Sequence, residues 1–454
     1  MTATGEITDH WLDDITEPLT FDRSKNWSWI AVPARLAGRG FIFLGTTPGR
    51  LVSMMLVLTL AVAAAGASMA IDSTDRHRRL DVLLTSTEPM NSAAHNLYTS
   101  LSLADTIATT DFVRTGGSAR ARYNEAIDAA AIAATESVQG SGPEDARIRE
   151  LAALVHRTLP VYTAMVEAGR ANHRVGNAVG VNYLTSASAL MRDQILPAAA
   201  ELFQLTSAEV AKQQRELTAP QWAPLSGYTA AIVFLTLAQW WMWRLTRRRL
   251  NRGFVAATLL LTVGLAWAAT ANVLTWAAGA QRFESAATPW EQLTNSQIAA
   301  QQARTSETLA MVNRRAAGTD FGAMVTGVNS ALDAYESAEH IGEEKRTALT
   351  SARSSLADWT TAHSVLMDDL SNGRHDEALA QATDAARLGT AASSFAELDG
   401  ALSRLIADTR ATMRGYIADS LDATRALGAG MGVLTTAAVV AMWLGIRPRL
   451  QEYM

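Results

Sequence analysis

Four stretches of the chain contain no Lys, Arg, Asp or Glu: Leu51–Ile71, Ala223–Trp243, Phe254–Trp276 and Leu427–Ile446, each 20 to 23 residues long. No other feature constrains the fold as hard. A bilayer core about 30 Å thick needs roughly 20 apolar residues in a helix that rises about 1.5 Å per residue. A helix on a water-soluble core normally carries charges on its outer face. Four charge-free runs of this length therefore predict four transmembrane helices. The 48% hydrophobic and 18% charged content agrees, because the apolar residues sit where a membrane needs them.

The link between the second and third runs, residues 244–253, reads RLTRRRLNRG. It holds Arg244, Arg247, Arg248, Arg249 and Arg252 and no acid. Short arginine-rich loops stay in the cytoplasm. With four spans, an inner loop at this point puts both termini inside, as in a multi-pass protein of a bacterial cytoplasmic (inner) membrane. Arg35, Arg39 and Arg50 before span one, and Arg447 and Arg449 after span four, agree. Arg76, Arg78 and Arg79, just outside span one, run against it, but long translocated domains are little governed by such charges. Trp240, Trp241 and Trp243 beside the loop and Trp443 at the end of span four suit an aromatic belt at the headgroups. Trp222 and Trp276 suit the opposite level. The first apolar run begins only at Leu51, so it reads as a retained helix behind a leader, 1–50, and not as a cleaved signal.

The segments between spans, 72–222 and 277–426, contain 151 and 150 residues, so the chain is span–domain–span twice over. Glu88-Pro89 and Thr288-Pro289 open comparable helices 200 positions apart, Gly116-Gly117 and Gly318 close them, and Tyr162 and Trp359 fall in corresponding long helices. Steps of three and four run through Leu83, Thr87, Met90, Ala94, Leu97, Leu101 and Ala104, through Val181 to Leu205, through Leu349 to Leu370, and from Leu388 to Tyr416. Such spacing makes seams that neighbouring helices bury. Further breaks fall at 140–143 and Asn372-Gly373. The predicted fold is an all-α membrane protein: four transmembrane helices and two extracytoplasmic four-helix-bundle, sensor-like domains in tandem repeats. The helix leading into span four has no proline, with only Gly415 and the glycines near Gly428 weakening it. Its counterpart before span two is interrupted at Pro220 and Pro224.

Signs of catalysis are absent. The eight histidines, among them His95 and His363, show no metal-binding helical spacing, and phosphate loops and nucleophile elbows are missing. Without cysteine the chain has no disulfide, thiolate site or thiol chemistry. No enzyme activity, cofactor or metal is expected. His363, on an apolar seam, reads as a satisfied core histidine, and Glu343-Glu344 and Asp368-Asp369 as solvated faces. The spans lack the ionisable residues of ion pumps. A net charge of −5 argues against nucleic-acid binding. Gly428 and Gly432 offer a small face for helix contact. The leader holds Trp11, Trp27, Trp29, Phe41 and Phe43, suited to an interfacial segment or a docking peptide.

Membrane-anchored outer helical bundles are the plan of bacterial chemoreceptor and sensor-kinase input domains, but this chain has no coiled cytoplasmic output module. The leader ending in GTTPGR, the paired halves, the RLTRRRLNR loop and the tail IRPRLQEYM resemble the actinobacterial GlnX-type membrane component of the glutamate/aspartate-sensing system that acts through protein kinase G. The resemblance covers the full length without a diagnostic motif. It implies a non-catalytic signal transducer with an outer solute-binding lipoprotein as partner and a cytoplasmic Ser/Thr kinase as its output. It transfers no ligand-contact residues. The alternatives are a direct amino-acid chemosensor, with ligand inside a helical bundle, and a structural envelope scaffold.

Overall fold

The computed structural model describes residues 47–113, 118–142, 145–246, 251–313, 321–337 and 343–451. The leader through residue 46, Gly116-Gly117, Pro143, Gly318 and the loop arginines Arg247, Arg248 and Arg249 lie outside the described residues. Among the described residues there are helices and turns and no strand. In chain order the helices are α1 (Thr47–Val82), α2 (Glu88–Val113), α3 (Ser118–Gln139), α4 (Ala146–Arg174), α5 (Val179–Leu190), α6 (Leu196–Thr218) and α7 (Trp222–Thr246). The second half continues with α8 (Arg252–Trp276), α9 (Glu284–Asn313), α10 (Phe321–Ser337), α11 (Glu343–Ser371), α12 (His375–Thr383), α13 (Ala391–Thr424) and α14 (Leu427–Gln451). π-Helical turns join α1 to α2 (Leu83–Thr87), α5 to α6 (Met191–Ile195) and α8 to α9 (Ala277–Phe283). Such wide turns insert a residue into the helical ladder and re-aim the next helix.

Three helical runs are long and apolar enough to cross a membrane: Gly49–Phe112, Arg252–Met311 and Ala391–Pro448. At 64, 60 and 58 residues they exceed what a bilayer needs, so each continues beyond its apolar part as a polar helix. α7 carries the remaining charge-free run but falls short of that apolarity, because Pro224, Tyr228, Gln239 and three tryptophans interrupt its aliphatic residues.

The chain divides into two compact units. The first takes α1 up to Ala65, α7 from Tyr228, α8 up to Thr262 and α14 from Leu434. Its packed faces use Met55, Leu58, Val62, Leu235, Ala238, Phe254, Leu261, Ala438 and Met442. The outward faces are apolar too: Leu56, Leu60, Phe234, Leu237, Leu259, Val440 and Leu444 are exposed. In water such a surface would aggregate; in lipid it is the expected one. α8 and α14 approach so closely that a Cβ on Gly253 would strike the carbonyl of Ala441 and the backbone of Gly445. The Asn251 side chain donates to the Gly445 carbonyl at 2.9 Å there.

The second unit holds Gly66–Gly227 and Val263–Val433, and so both outer segments. The halves repeat one order of helices, α2–α6 and α9–α13, each packed around its own seam. In α4 the seam is Ile148, Leu151, Ala152, Val155, Leu159, Tyr162, Val166 and Gly169, all buried. In α13 it includes Leu398, Leu402, Leu405, Thr409 and Ile417. The halves meet along α2 and α9, where the Thr106 and Thr305 hydroxyls lie 3.0 Å apart and Gln302 donates to the Tyr98 hydroxyl at 2.7 Å.

Three sequence expectations shift. The α13 seam begins at Ala391, not at Leu388, which is 83% exposed. Gly389 takes a left-handed φ of 78°, and Thr390 with Ser393 forms a capping box that starts the helix afresh. The passage into α14 is broken at Arg425-Ala426, with Ala426 at φ 58°, where the sequence showed only weak points. Gly428, not the Gly428–Gly432 pair, makes the close contact: a Cβ there would meet Thr74 and the Ala70 carbonyl, whereas a Cβ on Gly432 would meet no atom within 4 Å. Gly430 abuts Trp267 instead.

Candidate ligand site between the two halves

In the second unit α2, α9 and α13 line a half-open cavity of about 290 Å³. α2 lines it with Ser92, His95, Asn96, Thr99, Ser100 and Leu103, at helical spacing. That stripe lies beside the Met90, Ala94, Leu97 and Leu101 seam, so α2 is buried on two faces: apolar toward its own half, polar toward the other. α9 adds Trp290, Gln297 and Gln301, and α13 adds Asp399, Ser403 and Arg410. Each helix contributes over about eleven residues, or roughly 16 Å of helix.

At one end Asp399 Oδ1 accepts from the amides of Gln297 and Gln301, both at 3.0 Å, and Gln297 also donates to the Ser403 hydroxyl at 2.8 Å. With both amides turned toward the carboxylate, the Gln297 and Gln301 Oε1 atoms are left buried without a partner. Burial pushes the Asp399 carboxyl up, against the two amide hydrogen bonds. Toward the other end, the His95 ring packs 6.5 Å from Trp290 and 5.8 Å from Phe203. His95 Nδ1 and Trp290 Nε1 are also buried and unpartnered. Burial, aided by the charge of Arg410, lowers His95 to about 4, so the ring is neutral at ordinary pH. Arg410 binds Glu88 through Nε at 2.6 Å and Nη2 at 3.3 Å, and Arg414 binds the same carboxylate.

Each half also buries a carboxylate away from this cavity. In the first, Asp105 on α2 accepts from the Tyr162 hydroxyl at 3.1 Å and the Ser188 hydroxyl at 2.7 Å. Burial drives Asp105 up, only partly opposed by those bonds and by Arg192. In the second, Glu307 on α9 binds Arg304 at 2.5 Å and His363 Nδ1 at 2.5 Å, with the Trp359 indole N–H at 3.5 Å. Burial pushes Glu307 up, but Arg304 and His363 outweigh it and hold it below the ordinary range. His363 stacks on Phe321 at 3.7 Å between ring centroids.

Where the outer helices leave the apolar stretches, Arg76 is buried. Its Nε donates to the Leu217 carbonyl at 2.5 Å, Nη2 to the Ala219 carbonyl at 3.2 Å and Nη1 to Asn272 Oδ1 at 2.9 Å. The arginine that opposed the charge rule thus caps the C-terminus of α6, a role that explains its position. Of the residues expected to anchor the topology, Trp240, Trp241, Trp243 and Trp443 are exposed. Arg244 lies 4.2 Å over the Trp240 ring, Trp443 donates to the Thr59 hydroxyl at 3.1 Å, and Arg252 is exposed at the start of α8. Asp369, expected on a solvated face, is buried against Arg374 Nε at 2.8 Å; Asp368 binds the same guanidinium from solvent.

No cavity residue stood out in the sequence. The available signal was the second, polar stripe on α2 and the i, i+4 pair Gln297 and Gln301. Neither reads as a site until α13 supplies Asp399. Among the described residues no group of His, Asp and Glu is arranged to hold a metal ion.

The second unit is all-helical among the described residues and is continuous with the three long apolar helices. Residues 79–215, from the end of α1 to α6, match the family model of an actinobacterial sensor domain. No curated protein and no solved structure matches the chain. The match gives the first half a sensing role and accords with the actinobacterial resemblance at that level.

Proposed function

We propose that the chain is a non-catalytic, four-pass signal transducer of the cytoplasmic membrane, with both termini inside, that reports an outer solute to inner partners. One observation carries the reading. The three helices that wall the cavity, α2, α9 and α13, are the outer continuations of the three runs apolar enough to cross a membrane. A ligand or partner that favours one spacing of these helices biases their apolar continuations by its difference in affinity for the two states. On the resemblance, the signal is glutamate or aspartate availability, delivered by a solute-binding lipoprotein and answered by a cytoplasmic Ser/Thr kinase. The polar cavity supports a second reading, in which a small molecule binds the transducer directly.

The test is crosslinking of the tagged full chain in living cells grown with and without glutamate or aspartate. Capture of a solute-binding lipoprotein that changes with the amino acid supports the relay. Only self-contacts under both conditions would sink it.

A further inference from the structure

The cavity between α2, α9 and α13 has a chemical bias. Four buried polar atoms of its lining have no partner: the acceptors Gln297 Oε1 and Gln301 Oε1, His95 Nδ1, and the Trp290 indole N–H, which is a donor. Between the two glutamines stands the Asp399 carboxylate. Its hydrogen bonds come from the two neutral amides alone, and among the described residues no cation pairs with it. A half-buried carboxyl with amide donors only either takes up a proton or is stabilised by a positive charge beside it. Ser92, Thr99, Ser100 and Ser403 add hydroxyls that accept as readily as they donate. The guanidinium on the wall, Arg410, is held by Glu88, a carboxylate it shares with Arg414, and it makes no ion pair with Asp399. The rest of the lining, Leu103, Ile406, Ala407, Trp290 and the neutral His95 ring, suits a short carbon body.

We infer that this cavity binds a small organic ammonium ion, whose N–H groups engage Asp399 and the free carbonyls of Gln297 and Gln301 while its carbon chain lies toward Trp290. An ammonium has three donors and no acceptor, which matches three converging acceptors. The volume of about 290 Å³ is at the lower end of small-molecule sites and excludes a large ligand. Because the three walls come from both halves, a bound ammonium ties α2 and α9 to α13. The inference rests on the transducer reading for its consequence, but not for the binding itself.

The experiment is calorimetric titration of the full chain in nanodiscs with n-butylammonium, against butan-1-ol and butanoate as neutral and anionic controls of the same length. Saturable one-to-one binding of the amine is expected, with both controls at least about tenfold weaker. Asp399→Asn keeps the shape and should weaken the amine about tenfold or more, with the butanol heat unchanged. If that variant is not monodisperse and helical, Gln301→Leu carries the test, with an expected loss of at least about threefold. No saturable amine binding, equal binding to the Asp399→Asn chain, or tighter butanoate binding would overturn the inference. The crosslinking result separates the two ideas. An amino-acid-dependent crosslink with no amine binding removes this ligand class and keeps the relay, whereas amine binding without the crosslink does the reverse.

Discussion

The two halves of the outer unit solve one problem in opposite ways. Each buries a carboxylate on the helix that comes after its π turn, and each aims an aromatic residue at it: Tyr162 of α4 at Asp105, Trp359 of α11 at Glu307. Asp105 has hydroxyl donors and is pushed toward its neutral form; Glu307 has Arg304 and His363 and is held ionised. The first half thus carries a hydrogen-bonded carboxyl pushed toward neutrality, the second an ion-paired one. The same contrast appears where each last helix gives way to its apolar successor. α6 stops at Thr218, with extended Ala219 and then Pro220, and is capped by Arg76. α13 turns into α14 through one left-handed alanine, Ala426. A shared plan does not require shared energetics; residues 79–215, in the first half, are the ones that match the sensor-domain model.

The largest expected effect is on the charged core. Glu307→Gln leaves Arg304 buried without its counter-ion and should destabilise the second half by about 3–5 kcal/mol. Hydrogen exchange should quicken in α9 and α11 while α4 keeps its protection. Equal loosening of both halves would break the comparison. The reciprocal change, Asp105→Asn, removes a carboxyl that is costly to ionise and should stabilise the first half by about 1–3 kcal/mol at neutral pH.

The pH dependence sharpens the contrast. Asp105 is raised, so its contribution is full below the unfolded value of about 4 and is lost as pH rises through the folded value. Glu307 is lowered, so its contribution is present above about 4 and is lost as pH falls through the folded value. Exchange rates across a pH series should therefore show α2 and α4 weakening toward alkali and α9 and α11 toward acid. The Asp105→Asn advantage should grow with pH.

Smaller effects concern the joints. Ala426→Gly relieves a left-handed alanine and should stabilise the α13–α14 junction by up to about 1 kcal/mol, read as slower exchange at Arg425 and Gly430. Faster exchange there would mean that a rigid, strained joint is what holds the passage. Thr106→Val removes one bond between the halves and should cost about 1 kcal/mol or less, seen as a small loss of protection in α2 and α9 together.

Much of the fold was legible in residue spacing. The charge-free runs, the seams of α2, α11 and α13 and the correspondence of Tyr162 with Trp359 depend on local order along a helix, which a sequence displays directly. The cavity did not show itself this way. Asp399 reads as one more acid on an amphipathic helix, and Gln297 and Gln301 as surface amides, until α13 packs on α9 about a hundred residues away in the chain. Arg76 reads as a misplaced positive charge until the end of α6 arrives beside it. Leu388 fits a repeat that only the Gly389 and Thr390 backbone cuts short.

By itself, then, the sequence determined that the chain is helical, where it is apolar enough for a bilayer, and which faces are core, because periodicity and hydrophobicity are local and additive. Tertiary structure decided which polar residues converge, which carboxylate is pushed toward its neutral form and which is held ionised. Those properties depend on burial and on partners about 50 to 140 residues distant, and neither is written at any single position.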